Sequence, residues 1–520
     1  MPKFKHYDYN QNSMIVINFA DQLQLGTFEY AIHHLIDSKL DLSIFYPAYQ
    51  NDHGGRPAYD PAILLKIIFF AYAKGITSSR EIQWCCETNV IFKALSCDTV
   101  PHFTTIASFV SGYPKQIEQL FEQILLVCHQ QGLLGNELFA IDGCKLPSNA
   151  AKEWSGTFKE LEAKRKKLQK QIRHCLKEHR KLDKKDPDNH ERVRRSKQTI
   201  DTLDAAFEKI DRFLKTQTPR MGQGKQSKEV KSNITDNESA KMTTSKGTIQ
   251  GYNGVAAVDK KHQVIIDAQA IGHGQEHHTL QPVLETIDER LRRLGIDEDV
   301  YHGETGVIVT ADTGYANEAN MQYLHDNGID AYIPDNQFRS RDPKFAQQKE
   351  KFGKRHPAET KHADIIPASE FSFDPIKRTC VCPAAESLPL QGTPLEINGK
   401  LKICFEGRLS VCRGCELKTR CLRNPESPDQ GKGHGRQVSF TVRTKPSYTD
   451  WMKHRVDSEK GKQIYGHRMS TVEPVFANIT ASKKLRRFSL RGKEKVQGQW
   501  QLFCMIHNID KLMRYGEMAA

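Results

Sequence analysis

A charged segment with a heptad pattern divides the chain, and it limits how the sequences on either side can fold. Within residues 153–216, apolar or thiol side chains recur every seven residues, at Leu161, Leu168, Cys175 and Leu182. A second apolar pattern, with steps of three and four, begins at Ile200. Such spacing places the side chains on one helix face. We predict a coiled-coil hairpin, inserted into another domain, whose two antiparallel helices meet near Asp186-Pro187. Its Lys and Arg residues are either a solvated surface, which is favoured, or DNA contacts.

Strand-like sequences lie on both sides of this insertion. Leu138–Asp142 precedes it, and a Gly-, Ser- and Lys-rich stretch that we predict to be loop, 217–250, follows it. The pattern then predicts a strand hairpin over 252–270, followed by helix 277–294, strand 306–312, helix 316–327 and strand 330–333. This order predicts an α/β fold with a mixed sheet, divided into parts at 136–150 and 250–335.

Residues 1–132 have a helical pattern. Helices are predicted to begin near Pro61, Ser79, Thr104 and Pro114, where capping residues precede apolar faces. Short helices with tight connections are typical of helix-turn-helix DNA-binding modules, with 104–111 as the candidate recognition helix. A helical bundle without a ligand fits the pattern about as well.

The charge balance favours a polyanionic partner. The 520 residues carry 76 Lys and Arg against 63 Asp and Glu, a net charge of +13. Nucleic acid is the first candidate for such a chain. No apolar run reaches the roughly 18 residues of a membrane span, and the N-terminus lacks the apolar run of a secretory signal. We therefore expect a cytoplasmic, nucleoid-associated protein without a membrane partner.

Two acids, Asp142 and Asp312, each end an apolar run and precede a Gly-containing turn. Carboxylates at neighbouring strand ends can converge, and with a third acid from a helix they would hold two Mg²⁺ ions for phosphoryl transfer. For each acid alone a turn or helix cap is the favoured interpretation, and the presence of both in a basic chain favours the site. Other acids nearby, Asp259 and Asp267, fit surface positions better, and Asp236 is a candidate for supporting the site. His277 and His278 begin a helix and are helix-surface residues or neighbours of the site.

Six of the 13 cysteines fall between Cys380 and Cys421. In a cytosolic chain such clustering predicts metal binding before disulfides. The cysteine-rich insertion, 370–425, is therefore a candidate structural zinc site. Its predicted ligands are the four thiolates Cys382, Cys412, Cys415 and Cys421. Cys380 and Cys404 are alternatives to Cys382. Buried or free thiols are the alternative.

The C-terminal part, 450–515, is predicted to be helical apart from a basic segment, 483–495. Seven of those 13 residues are Lys or Arg. Phosphate contacts with DNA are the favoured interpretation, and a solvated loop is the alternative. The candidate DNA-binding side chains include Lys483, Lys484, Arg486, Arg487 and Arg491.

In their order along the chain, seven motifs resemble the DDE transposases of bacterial insertion sequences, most closely the "eleven-eighty-two" group. The resemblance covers about residues 50–515. Its motifs are HGGRPAYDPAILLKIIFFAYAKGITSSREI, FAIDGCKLPSNA, TDNESAKM with GYNGVAAVD, VIVTADTGY, the cysteine cluster, YGHRMSTVEPVFANI and KKLRRFSLRG. The resemblance implies an RNase H-like core, interrupted by the helical hairpin and the zinc-binding insertion.

The resemblance also implies the third acid. In the related clan this acid lies on a helix in a Tyr-x2-Arg-x3-Glu-x6-Lys signature. Here Tyr465 and Arg468 keep their spacing, four residues separate Arg468 from Glu473, and the next lysine, Lys483, lies too far on for the strict pattern. Glu473 is therefore the implied third metal ligand, and Arg468 is a candidate for holding a DNA phosphate or for a surface ion pair.

The implied activity is Mg²⁺- or Mn²⁺-dependent transposition. A metal-activated water would hydrolyse the phosphodiester at each transposon end, and the freed 3′-hydroxyl would attack target DNA. The partners are then double-stranded DNA and, because two ends must be paired, a second copy of the chain. The alternatives are a catalytically inactive, transposase-derived DNA-binding protein and a nuclease without strand transfer.

Overall fold

The computed structural model divides the chain into two compact units. The core unit comprises residues 1–315, 323–333 and 459–520, and the insert unit comprises 316–322 and 334–458. The residues that the structure describes are 16–49, 54, 57–185, 190–222, 228–245, 247–274, 276–302, 306–345, 365–397, 400–426, 429–431, 433–443 and 447–517. The predicted junction at Asp186-Pro187 lies outside them.

The N-terminal part of the core unit is helical, as predicted. Its α-helices are Phe19–Gln22, Phe28–Ser38, Pro61–Ala73, Ser79–Thr88, Val90–Leu95, Phe103–Gly112 and Pro114–Gln130. The helix at Pro61 begins where the sequence predicts, because Asp60 accepts a hydrogen bond from the Ala62 N–H and proline suits a first helical position. Nearly every side chain of that helix is buried, so it lies inside the unit.

The strands of the core unit form a six-stranded mixed sheet and two small pairs. The strands are β1 (Leu138–Pro147), β2 (Ser155–Gly156), β3 (Arg220–Met221), β4 (Glu229–Val230), β5 (Ser232–Asn233), β6 (Ala240–Thr244), β7 (Gly247–Asp259), β8 (Ile265–Ile271), β9 (Ile308–Ala311) and β10 (Ala331–Tyr332). The main sheet runs β10-β9-β1-β7, and β6 and β8 pair with successive parts of the far edge of β7. β1 is parallel to β9 and antiparallel to β7, and β9 is parallel to β10.

Two predictions about these strands were wrong in detail. β1 continues five residues beyond Asp142, so this acid lies in the middle of the strand and not at its end. The stretch 217–250, predicted to be loop, contributes β3 to β6 and the start of β7. Its many polar residues show no alternating strand pattern. The strands form because their backbone groups pair, β6 with β7, β5 with β2 and β3 with β4.

The helical hairpin consists of two long helices, Phe158–Lys185 and His190–Thr216. Leu161, near the start of the first helix, packs with Ile210 and Phe213 near the end of the second. The helices therefore run antiparallel, as predicted, and their coiled-coil geometry stays a prediction.

Two C-terminal helices complete the core unit. They are Glu459–Ala477, which is followed by the π-helical turn Asn478–Ser482, and Lys493–Tyr515. The helix Tyr448–Asp457, at the start of the predicted helical stretch from 450 to 482, belongs to the insert unit. The last helix, Lys493–Tyr515, is buried on almost every side. On the sheet side its Trp500 ring lies over Gly254, and the indole N–H donates to the Val255 carbonyl of β7 at 3.0 Å. A larger residue at position 254 would meet the indole ring at about 3.1 Å.

The acids predicted for the surface are buried. Asp259 accepts hydrogen bonds from the N–H groups of Gly135, Asn136 and Lys261, so it fastens a turn. Asp267 on β8 pairs with the buried Arg290 guanidinium. The prediction failed because it assumed one solvated sheet face, whereas helices cover β8 as well.

Asp236, a candidate from the sequence for supporting the site, is buried, and its support of the site stays a prediction. Its carboxylate accepts from the Tyr252 hydroxyl at 2.8 Å and from the Gly492 N–H at 3.3 Å. It therefore ties a β-strand to the start of the last helix.

The insert unit has its own small core. Its strands form two three-stranded antiparallel sheets, β11 (Ser372–Asp374), β12 (Thr379–Val381) and β13 (Ser387–Leu388), then β14 (Leu395–Ile397), β15 (Lys400–Glu406) and β16 (Gln437–Arg443). Short α-helices at Leu409–Arg413 and Lys418–Cys421 follow β15. Stacked Phe373 and Phe440, 4.3 Å apart, pack against the buried residues of this core, among them Phe405. Within the described residues of the whole chain, no helix is long and apolar enough to cross a membrane.

Candidate active site

The register of two parallel strands brings the first two predicted acids together. Ile141 of β1 pairs with Ala311 of β9, so Asp142 and Asp312 follow at the same level on neighbouring strands. Adjacent strands lie about 4.8 Å apart, which sets the spacing of the two backbones at this point. The Asp142 side chain is 22% exposed and that of Asp312 is 41% exposed.

Arg468 joins the two acids. It projects from the helix Glu459–Ala477, and its Nη2 lies 2.7 Å from Asp142 Oδ2 and 3.8 Å from Asp312 Oδ1. The side chain is 8% exposed, and its Nε is buried without a hydrogen-bond partner. Arg468 is therefore an internal counterion of the acids, and this placement argues against the surface ion pair considered from the sequence. Tyr465, one turn earlier, is half-buried beside it and contributes to its electrostatic environment.

The electrostatics of the cluster are those of excess negative charge. Burial raises the pKa of Asp142 to about 6, although Arg468 and the Gly143 N–H favour its ionised form. The nearby charges of Asp312 and Glu276 raise this pKa further. Three carboxylates thus influence one another here, with the Arg468 guanidinium beside Asp142 and Asp312 and the Lys145 ammonium 3.7 Å from Glu276. Carboxylate oxygens are the donors that a hard divalent cation prefers.

Glu276 was missed by the sequence analysis. It lies in the turn before the helix Leu280–Arg293, and its side chain is 14% exposed. Its Oε1 accepts a hydrogen bond from Asn253 Nδ2 at 3.2 Å and lies 3.7 Å from the Lys145 ammonium. The following His277 hydrogen-bonds through Nδ1 with the Gly314 carbonyl at 3.1 Å, two residues beyond Asp312. From the sequence, only His277 and His278 of this segment were candidates for an approach to the site.

Glu473 is exposed, and its position as third ligand stays a prediction. It lies five residues after Arg468, which on a straight helix places the two side chains roughly 140° apart around the axis. Within the described residues, no group of three or more His, Cys, Asp or Glu side chains is close enough as arranged to hold a metal ion.

The basic segment divides into a buried and an exposed part. Lys483 is 4% exposed, its ammonium pairs with Asp510, and it lies 5.5 Å from the centre of the Phe28 ring. This position stabilises the fold and argues against the predicted contact of Lys483 with phosphate. The adjacent Lys484 is exposed, in a left-handed backbone conformation, with its side-chain carbons against Gly75.

The three predicted arginines of this segment are exposed. Arg487 donates to the Ser148 carbonyl and to the Asn149 side chain, and Arg491 donates to the Asn149 carbonyl. These contacts hold part of the segment against the residues that follow β1. Arg486 lies between the buried Leu485 and Arg487 and is likewise exposed.

A second basic feature lies near β6 and was not predicted from the sequence. One cavity of the core unit is lined by five basic or imidazole side chains, Arg220, Lys231, Lys241, His273 and His278. Burial lowers the pKa of His273, and the positive charge of Arg220 lowers it further. The cavity therefore has a positive field suited to an anion such as phosphate.

The four predicted zinc ligands line one cavity of the insert unit. Cys382, Cys412, Cys415 and Cys421 all contribute to its wall. Burial raises the pKa of the Cys421 thiol. The positive charge of Arg436 lowers this pKa, and the other three sulfurs are close enough to raise it further. The alternative ligand Cys380 is fully buried in the apolar core of the unit, and Cys404 lies on β15. The cysteines are free thiols, and within the described ranges they form no metal-binding group as arranged, so zinc has no direct support.

Comparisons with known proteins identify two segments of the chain. Residues 17–112 match the family model described as Transposase domain (DUF772), and residues 381–513 match the model described as Transposase DDE domain. The resemblance to the transposases of bacterial insertion sequences that the motifs predict is thereby confirmed. None of the curated proteins compared with the chain matches it.

Proposed function

Because two of its segments match transposase domains, we propose that this protein is a DNA transposase that cuts DNA at the ends of a mobile element and joins them to a target. The observation that carries the proposal is the meeting of Asp142 and Asp312 beside Arg468. A catalytically inactive DNA-binding descendant needs no such pair of partly exposed acids around a buried arginine.

The topology supports an RNase H-like core. Strands β1, β7 and β8 are antiparallel neighbours, and β9 and β10 extend the sheet beyond β1 in parallel. This arrangement brings an acid of the first strand beside one that follows the fourth strand of the series. The helical hairpin lies between β1 and β7 in the chain, and the main part of the insert unit, 334–458, lies after β10, which supports the predicted insertions.

The acids fit the divalent cation that DDE transposases use. Asp142 and Asp312 would hold Mg²⁺ or Mn²⁺, with Glu473 as the third ligand that the resemblance implies. When bound, the ion supplies Lewis-acid activation of water and neutralises charge at the phosphate. Arg468 holds both carboxylates at one level of the sheet and offsets their repulsion before an ion enters. The exposed side of Asp312 leaves the site accessible to DNA.

DNA binding is proposed for the exposed basic surfaces. One such surface is the segment that carries Lys484, Arg486, Arg487 and Arg491, which is held against the residues that follow β1. β1 ends five residues after Asp142. The basic cavity near β6 is a further candidate for backbone phosphates. The helix Phe103–Gly112 is the proposed recognition helix, and a homodimer would pair the two element ends.

Zinc is proposed as a structural ion of the insert unit, because the four cysteines share one cavity wall. Purified protein should then contain close to one zinc per chain by elemental analysis. Cys412→Ser should lose it, and Cys97→Ser, which changes an exposed thiol of the core unit, should retain it. A metal content that is low in the wild type contradicts this assignment.

Cleavage of DNA that carries the element's own ends tests the proposed function. With Mg²⁺ or Mn²⁺, the wild type should cut and join, and Asp142→Asn and Asp312→Asn should lose at least a thousandfold in rate while still binding DNA. Asp326→Asn, which changes an exposed acid elsewhere in the core unit, is the matched control. Wild-type rates for both site variants refute the enzyme, and binding without cleavage by the wild type supports the inactive descendant.

A further inference from the structure

We propose that the basic cavity near β6 holds a backbone phosphate of the DNA strand that is cut, a short way along that strand from the scissile phosphate. The proposal rests on the proposed function, because it concerns how the same site holds its DNA. Arg220 and Lys241 are the side chains assigned to this phosphate.

The wall of the basic cavity near β6 carries positive charge without acids. Among the described residues that line it, none is Asp or Glu, and five have basic or imidazole side chains. One of the five, Lys231, pairs with Glu160 of the helical hairpin at 3.1 Å. The full positive charges left for a ligand are therefore those of Arg220 and Lys241, which suit an anion.

Arg220 is held in place before any ligand binds. From Nη1 its half-buried guanidinium donates to the carbonyls of Asn237 and Ser239, the latter at 3.0 Å. Within the described residues its hydrogen bonds use Nη1 alone, so Nη2 and Nε are left for phosphate oxygens. A guanidinium that is already oriented loses little conformational freedom when it binds.

The loop after β8 is packed too closely on β6 for side chains at its glycines. A Cβ at Gly272 would collide with the Glu238 carbonyl oxygen, and a Cβ at Gly274 would meet the Met242 side chain at 3.2 Å. These contacts fix the backbone on both sides of His273, which lines the cavity. This part of the cavity wall is therefore formed before a ligand arrives.

A short segment connects the cavity with the acidic pair. His278 lines the cavity, and Glu276, two residues earlier, is close enough to influence the Asp142 carboxyl electrostatically. Between them His277 hydrogen-bonds with the Gly314 carbonyl, in the turn after the second acid. Phosphates repeat along a DNA strand about every 3.4 Å of helix axis. A strand whose scissile phosphate lies at the acids therefore has another phosphate within reach of the cavity.

Further basic groups lie beyond the cavity, which favours DNA over a small free anion. The loop that Arg220 holds, 237–239, also contacts the start of the last helix, where Glu238 accepts from the Lys493 N–H at 2.8 Å. The exposed Arg491 of the basic segment comes directly before this helix start. Cations that continue past one cavity suit a long polyanion and are not needed for inorganic phosphate or a single nucleotide.

A phosphate-replacement experiment with the full-length protein tests the assignment. The DNA carries the element's own ends, one backbone phosphate at a time is replaced by an uncharged methylphosphonate, and fluorescence anisotropy at constant salt measures binding without divalent ions. Replacing the phosphate held in the cavity should weaken wild-type binding about tenfold, as expected for a hydrogen bond to a charged group. In Lys241→Gln and in Arg220→Gln the same replacement should weaken binding clearly less, because a partner of that phosphate is already gone.

The matched control is Lys260→Gln, in the turn at the other end of β7, which should show the full wild-type loss. Thermal unfolding checks the fold of Arg220→Gln, which loses contacts to a loop, and the exposed Lys241 gives a variant without that risk. Losses that are equal in the wild type and in Lys241→Gln at every phosphate near the cleaved bond overturn the proposal. If inorganic phosphate binds the wild type but not Lys241→Gln while those losses stay equal, the cavity is a site for free anions instead.

The result is separable from the proposed function. If the wild type cuts the element's ends while Lys241→Gln shows the same losses as the wild type, only the phosphate subsite fails. If Asp142→Asn and Asp312→Asn cleave at wild-type rates, the transposase activity itself fails, whatever the cavity binds.

Discussion

Replacing Arg468 with Met is expected to destabilise the protein, when no divalent ion is added, by an amount that increases with pH. Asp142 has its pKa raised to about 6 by burial even with Arg468 at 2.7 Å. Below pH 6 Asp142 is protonated in the folded wild type, so Arg468 has no charge on it to stabilise. Above pH 6 the carboxylate is ionised and Arg468 stabilises it. The loss in the variant therefore appears as the pH rises through 6.

The size of the effect follows from the distance between the charges. An opposite charge within about 4–6 Å lowers a carboxyl pKa by roughly 1–3, so removing Arg468 should raise that of Asp142 by roughly 2. At about 1.4 kcal/mol for each pKa unit, the difference in unfolding free energy between wild type and variant should grow by about 2 kcal/mol from pH 6 to pH 8. For the 388 residues of the core unit, at about 2.1 cal/mol/K per residue, this corresponds to roughly 2–3 °C in Tm. Effects of the lost packing are independent of pH and cancel in this comparison.

Thermal unfolding followed by tryptophan fluorescence measures this growth, since Trp500 is buried against the sheet that carries Asp142. Arg487→Met, which removes an exposed arginine, should show no such dependence on pH. The double variant Asp142→Asn/Arg468→Met should also lose it, because the titrating group is gone. A Tm difference between wild type and Arg468→Met that is equal at pH 6 and pH 8 refutes the assigned coupling.

Three further outcomes are expected. Burial lowers the pKa of His507 to about 3, so below pH 6.5 the unfolded chain binds a proton that the folded protein does not, and the fold loses stability. His507→Gln should remove about 3 kcal/mol of that loss at pH 4, measured by urea unfolding at pH 7 and pH 4. Asp267→Asn leaves Arg290 buried without its closest carboxylate and should cost roughly 3 kcal/mol, seen as a lower urea midpoint at unchanged slope. Arg491→Ala should reduce the log–log salt dependence of DNA binding by about 1, whereas Lys483→Ala should lower Tm and leave that slope unchanged.

Local sequence signals predicted most of the helices. The cap at Asp60, Pro at helix starts and the apolar spacing around Ile106 are short-range signals, and the helices begin within a residue or two of the predicted positions. The same holds for the strand hairpin at β7 and β8, whose apolar runs and turn are contiguous in the chain. The short strands β3 to β5 escaped prediction because their pairing partners, and not their own composition, make them strands.

The candidate site was only half predictable. Asp142 and Asp312 follow apolar strand sequences and were therefore identified, but Glu276 follows no motif of that kind. Its relation to Asp142 depends on Asn253, a residue on a third strand. No spacing along the chain encodes such a contact across strands.

The sequence by itself determined most of the helices, the longer strands and the acids at Asp142 and Asp312, because apolar periodicity and caps act over a few residues. Tertiary structure decided which charges meet. The pairing of Ile141 with Ala311 places the acids side by side, and the packing of one helix turns Arg468 inward onto them. It also buries Lys483 and leaves Arg486 exposed within a single basic run. The physical reason is that side-chain direction and burial depend on neighbours that are remote in the chain, and these neighbours fix both the local dielectric and the available partners.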